Sequence, residues 1–110
     1  MARYLLIESR DPFESRDVPY YYGLANDLAA QGDEVTLFLV QNGVLAARKA
    51  AADNPLGSVA AGNVTVLADG YSLRERGIAD AETLEGVAAG DIDQLVTLAM
   101  ADGGTKVMWH

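Results

Sequence analysis

The chain has 110 residues, half of them hydrophobic, with eight basic and sixteen acidic side chains for a net charge of −8. That length holds one core and predicts a single domain over 1–110, and the acidity excludes nucleic acid and anionic membrane surfaces, which both call for a basic face. The absence of cysteine excludes disulfides, thiolate nucleophiles and thiolate-held metals, and a single histidine gives no basis for a zinc site.

Taken in order, the chain alternates between two kinds of segment. Tyr4 to Ile7 is a short apolar run and predicts a first strand. Residues 9–16, SRDPFESR, form a polar loop. Asp17 stands where an N-cap is expected, with Pro19 in the first turn. Tyr21, Leu24, Ala25 and Leu28 then recur at helical spacing, and Gly32 closes that helix. The run VTLFLV, Val35 to Val40, is continuously apolar, as in a strand buried on both faces of a parallel sheet. Asn42 is expected to cap an alanine-rich helix reaching about Ala52, stopped by Asn54-Pro55. Val64 to Ala68 predicts a third strand and Ser72 to Arg76 a helical turn. Residues 80–90 stay open: Glu82 to Val87 fits a helix, while Gly86 and Gly90 weaken it. Asp91 begins a clearer helix, with Ile92, Leu95, Val96 and Ala99 on one face, closed by Gly103-Gly104. Thr105 to Trp109 is a last strand. MARYLLIES is too short for a signal core and lacks a cleavage site. No run of about 18 apolar residues exists to span a bilayer. These features predict a cytoplasmic protein.

The alternation predicts an α/β fold, a three-layer α/β/α sandwich with a mostly parallel sheet of about five strands. Ligand sites in such sheets lie beyond the C-terminal strand ends. That rule selects Glu8 to Arg16, Gln41-Asn42-Gly43, Asp69 to Arg76, and Trp109-His110.

Glu8, Asp11 and Asp69 would share one rim if the first and third strands are neighbours, and clustered carboxylates can hold Mg²⁺. Acids at strand-to-helix junctions also serve as plain N-caps or face water. Arg74 and Arg76 follow Asp69 closely; they can bind an anion, pair with Asp69, or form surface ion pairs worth under about 1 kcal/mol. Tyr20-Tyr21-Tyr22 cannot all be buried by one helix. Tyr21 fits the core, which leaves Tyr20 or Tyr22 for a partner surface. His110, last in the sequence, reads as incidental to any chemistry, whereas Trp109 calls for something to cover it. No phosphate loop or nucleophile elbow is present; Gly103-Gly104-Thr105-Lys106 only resembles the end of one.

Four stretches carry a resemblance to a known family. They are YLLIESRDP; LANDLAAQGDEVTLFLVQNGVLAAR; NVTVLADGYSLRERGI, with its Arg76-Gly77 turn; and GTKVMWH. In order and spacing they resemble the DsrE/DsrF-like superfamily of small sulfur-relay proteins, which includes the TusB, TusC and TusD subunits. The resemblance implies an α/β/α sandwich and an oligomer, a homotrimer or homohexamer or an assembly of related subunits, with its site at subunit contacts. In active members a cysteine carries persulfide sulfur. Counted back from Arg76-Gly77, that position is Asp69 here, and a carboxylate cannot hold a persulfide.

The resulting expectation is a non-carrier DsrE-like protein, an oligomeric scaffold, regulatory or small-ligand-binding member of a sulfur-related system. Asp11, Asn42, Asp69, Tyr71, Arg74 and Arg76 are its candidate pocket, for a small anionic ligand. Tyr20, Tyr22, Trp109 and His110 are its candidate interface. No catalytic residue, metal or cofactor is expected, and cysteine-based sulfur transfer is excluded. Two alternatives remain: an enzyme using Asp69 as general base on an anionic substrate, and a Mg-dependent receiver-like domain with Glu8, Asp11 and Asp69 as its acids and Lys106 as the positive partner.

Overall fold

A computed structural model describes residues 2–49, 55–101 and 104–110. Its centre is a five-stranded parallel sheet. The strands are β1 (Arg3–Glu8), β2 (Glu34–Leu39), β3 (Thr65–Asp69), β4 (Val87–Gly90) and β5 (Lys106–Trp109). Their spatial order is β4-β3-β2-β1-β5. The four helices are α1 (Val18–Ala30), α2 (Leu56–Ala60), α3 (Gly70–Glu75) and α4 (Ile92–Ala99).

The continuous apolar runs take central places because both of their faces are covered. Leu6, Leu37, Leu39 and Val66 pack against Val18, Tyr21, Tyr22, Ala25, Leu56 and Leu73 on one side. Leu5, Ile7, Phe38 and Leu67 pack against Leu95 of α4 on the other, with Leu98 and Ala99 beside them. The result is an α/β sandwich of three layers. Strand order dictates which helix goes to which side. From β1 to β4 the chain steps one way across the sheet, and right-handed crossovers then hold α1, α2 and α3 to one face. The return from β4 to β5 runs the opposite way, so α4 falls on the other face.

The sequence reading differs from this fold in four places. Between the first and third strands lies β2, so Glu8 and Asp69 are not on adjacent strands. The alanine-rich segment is a 3₁₀ turn over Gln41–Ala47, with Asn42 inside it rather than capping it. Tertiary packing decides this: Ala46 and Ala47 are fully buried, and the backbone passes so close to the end of β1 that a Cβ on Gly43 would collide with the Glu8 carbonyl. The turn ends with Arg48 bridged to Thr83, and the rest of the predicted helix, 50–54, lies outside the described residues. Pro55 then opens α2 instead of only stopping a helix before it, a place that suits a residue without an N–H. Lastly, residues 80–90 form a 3₁₀ turn at Asp80–Glu82 and then the strand β4, paired in register with β3. Gly103 lies outside the described residues; Gly104 has φ +81°.

Candidate functional site

Two adjacent strands whose outgoing connections leave toward opposite faces open a crevice between them at their C-terminal ends. Here those strands are β3, which runs into α3 on one face, and β4, which runs into α4 on the other. Asp69 and Gly90 are register partners at this point. A cavity of about 590 Å³ lies over them, within the range of small-molecule sites. Phe38 and Val40 line it from β2 and the residue after it, Tyr71 and Arg74 from α3, Ile92 and Leu95 from α4, and Trp109 from the end of β5. Gly90 lets the chain pass close to its neighbours there, since a Cβ would stand 3.1 Å from the Phe38 ring and 2.9 Å from the mobile end of the Gln94 side chain.

Asp69 caps α3. Its Oδ2 accepts from the Ser72 amide at 3.0 Å and from the Ser72 hydroxyl at 2.7 Å. Ser72 Oγ in turn accepts the Gln41 amide at 2.9 Å. This relay ties the end of β3 to the turn after β2, where Gln41 sits at φ +50°, a region few side chains adopt. Asp91 caps α4 in the same manner, accepting from the Gln94 amide at 2.8 Å.

The six expected pocket residues are not all brought together. Asp69, Tyr71 and Arg74 line the cavity. Asp11 and Asn42 line a separate shallow cleft with Arg10 and Glu14. Asp11 is itself nearly buried, its Oδ1 accepting the Phe13 amide at 2.8 Å. Arg76 lines neither space. Its guanidinium donates to Asn42 Oδ1 at 3.0 and 3.2 Å and to the Ser72 carbonyl at 3.2 Å. Neither arginine pairs with Asp69, whose inner oxygen already serves Ser72.

The expected interface residues also separate. Tyr20 is 81% exposed, and Trp109 is 66% exposed. Tyr22 is 1% exposed and packs in the core cluster that covers one face of the sheet; it therefore offers no partner surface. His110 is engaged within the chain. Its Nδ1 lies 2.8 and 3.0 Å from the two carboxylate oxygens of Glu8, and its ring stacks on Tyr21 with centroids 5.1 Å apart. Glu8 is fully buried. Burial raises its carboxyl above the ordinary value, while the His110 hydrogen bond and the Arg10 amide pull it back down. Burial, together with the Glu8 charge, raises the Tyr21 phenol to about 12.

The receiver-like alternative fails on geometry. Among the described residues no three of His, Cys, Asp and Glu stand together as an ion site. Lys106 lies at the other end of the sheet, its ammonium 5.4 Å from the centroid of the Tyr4 ring. No described helix is long and apolar enough to cross a membrane.

Residues 3–106 match the DsrE/DsrF-like family. The chain belongs to that family. The fold agrees. The YchN protein of E. coli superposes with a TM-score of 0.81 at 20% identity, over 98% of this chain and 100% of that one. MTH1491 of Methanobacterium thermoautotrophicum superposes with a TM-score of 0.77 at 17% identity, over the full length of both chains. No curated protein matches the sequence. This DsrE-like chain has no cysteine. The lining residues missed by the sequence reading include Phe38, Val40, Gly90, Asp91, Ile92 and Leu95. Their signal was the strand preceding Asp91, since recognising β4 would have placed the crevice between β3 and β4.

Proposed function

We propose that this protein is a ligand-binding, non-carrier member of the DsrE/DsrF-like family, working as a homo-oligomer in a sulfur-related system without itself transferring sulfur. The observation that carries the reading is the place of Asp69. It stands where the resemblance puts the carrier cysteine, and its carboxylate is held by Ser72 at the edge of a cavity of about 590 Å³. A side chain committed to capping leaves the cavity to bind rather than to carry. Self-association is supported by the exposed apolar side chains of α4 and the residue that ends it, Ile92, Val96 and Met100, four residues apart on one stripe, and by the exposed Trp109, which lines the same cavity as Ile92.

Native mass spectrometry of the purified chain tests this. A trimer or hexamer, with a small organic molecule retained, is the expected result. A monomer carrying a divalent ion overturns it.

A further inference from the structure

We propose that the cavity between β3 and β4 takes a small organic cation with an aromatic-sized apolar body. This rests on the reading of that cavity as a ligand site. The sequence alone pointed to an anion because two arginines follow Asp69, and the geometry reverses that balance. Arg76 is drawn off by Asn42 and the Ser72 carbonyl and does not reach the cavity. Arg74 remains, its Nη1 3.3 Å from where a Cβ on Gly70 would be. It shares the lining with three acidic residues, Asp69, Glu75 and Asp91, of which, among the described residues, only Glu75 has an arginine close by, Arg76 Nη1 at 3.8 Å from its Oε1.

The two capping acids spend only part of their capacity. The bonds to Ser72 use Oδ2 of Asp69, and the bond to Gln94 uses Oδ1 of Asp91. An ionised carboxylate has about four acceptor sites. Apart from Gln41 and Ser72, the remainder of the wall is apolar and includes three aromatic residues, Phe38, Tyr71 and Trp109. Aromatic faces attract cations and repel anions. The chain's net charge of −8 acts in the same direction at longer range, concentrating cations near its surface.

Trp109 is the only tryptophan in the chain, so its fluorescence reports on this cavity. The test titrates the intact protein at low salt and pH 7 with three probes of one shape, phenethylammonium, 2-phenylethanol and 3-phenylpropanoate, with calorimetry in parallel. The cation is expected to bind at least about tenfold more tightly than the carboxylate, a difference of about 1.4 kcal/mol. The double variant Glu75→Gln, Asp91→Asn is expected to lose most of that preference. Asn caps a helix as well as Asp does, and an unchanged melting temperature verifies that the variant is folded. Equal binding of all three probes, or preference for the carboxylate, overturns the charge assignment and leaves a ligand site standing. Silence from all three by both methods removes the ligand-site reading as well.

Discussion

The ring of His110 closes on the carboxylate of Glu8 across 102 positions of sequence, at 2.8 Å, inside the sheet's C-terminal rim. The backbone secures the same junction. The His110 amide donates to the Ile7 carbonyl at 2.9 Å, and the His110 carbonyl accepts from the Ser9 amide at 3.2 Å and the Ser9 hydroxyl at 3.0 Å. Asp17 Oδ2 stands 4.0 Å from the far ring nitrogen, and the Tyr21 hydroxyl donates to the Met108 carbonyl at 2.9 Å. Removing the His110 ring leaves the buried Glu8 carboxyl without its side-chain hydrogen-bond partner. His110→Ala is therefore expected to cost about 1–3 kcal/mol at pH 7, measured by urea unfolding. The cost should shrink toward pH 4, where Glu8 can be protonated.

The pH dependence has a definite sign. Burial raises the Glu8 carboxyl above its ordinary value of 4.5, so the folded state holds this proton more tightly than the unfolded state. The stability it supplies is complete below 4.5 and is lost as pH rises through the raised value. Glu8→Gln cannot ionise. Its stability relative to wild type should therefore climb with pH across that window, as measured by urea unfolding from pH 4 to 8. A flat difference contradicts the buried carboxyl.

The Tyr22 hydroxyl is buried with no hydrogen-bond partner among the described residues, and the charges of Glu8 and Asp11 face it. A buried donor left unmade is a standing cost. Tyr22→Phe deletes the hydroxyl and keeps the ring in its place. It is expected to stabilise the protein by about 1 kcal/mol, seen as a higher urea midpoint with an unchanged slope.

Two substitutions at Asp69 separate its shape from its charge. Asp69→Asn keeps an acceptor for the Ser72 amide and is expected to stay within about 0.5 kcal/mol of wild type. Asp69→Ala leaves that amide and the buried Ser72 hydroxyl without their acceptor. It is expected to cost about 1–2 kcal/mol. Thermal or urea unfolding of the pair distinguishes a structural cap, where only Ala is costly, from a purely electrostatic role, where both are.

Val96 is 54% exposed on the outer stripe of α4. Val96→Asp meets no core contact and is expected to change monomer stability by less than about 0.5 kcal/mol. If that stripe is covered by a second copy, the same substitution lowers the mass seen by size-exclusion with light scattering. An unchanged oligomer places the contact elsewhere on the chain.

Sequence patterns marked those parts of the fold whose residues announce their own surroundings. VTLFLV is apolar at every position but Thr36 because β2 is covered on both sides, and α1 carries a helical stripe because only one of its sides is covered. β4 carries no such mark. Its four residues, VAAG, are too short for a period, and only one is β-branched. Its strand form comes from pairing with β3. The 3₁₀ turn after β2 was misread because alanine content favours an α-helix, while the close approach of Gly43 to the end of β1 is a long-range constraint. Within the site, Asp69, Tyr71 and Arg74 were legible as a group because they are near neighbours in sequence. Trp109 drew notice as an exposed aromatic, but its share in the cavity required the sheet order. The pairing of Glu8 with His110 left no local trace.

The placement of β5 beside β1 has a consequence for synthesis. A chain growing from its amino end can assemble β1 through β4, since each new strand docks on the one before it. Throughout that period β1 keeps an open edge, with the Glu8 carboxylate still able to reach water. Only when the segment 106–110 has been delivered does that edge gain its neighbour and the carboxylate its partner. An arrested nascent chain lacking residues 106–110 should thus be more protease-sensitive around β1, and its released form more prone to strand exchange with its own kind, than a chain that contains them.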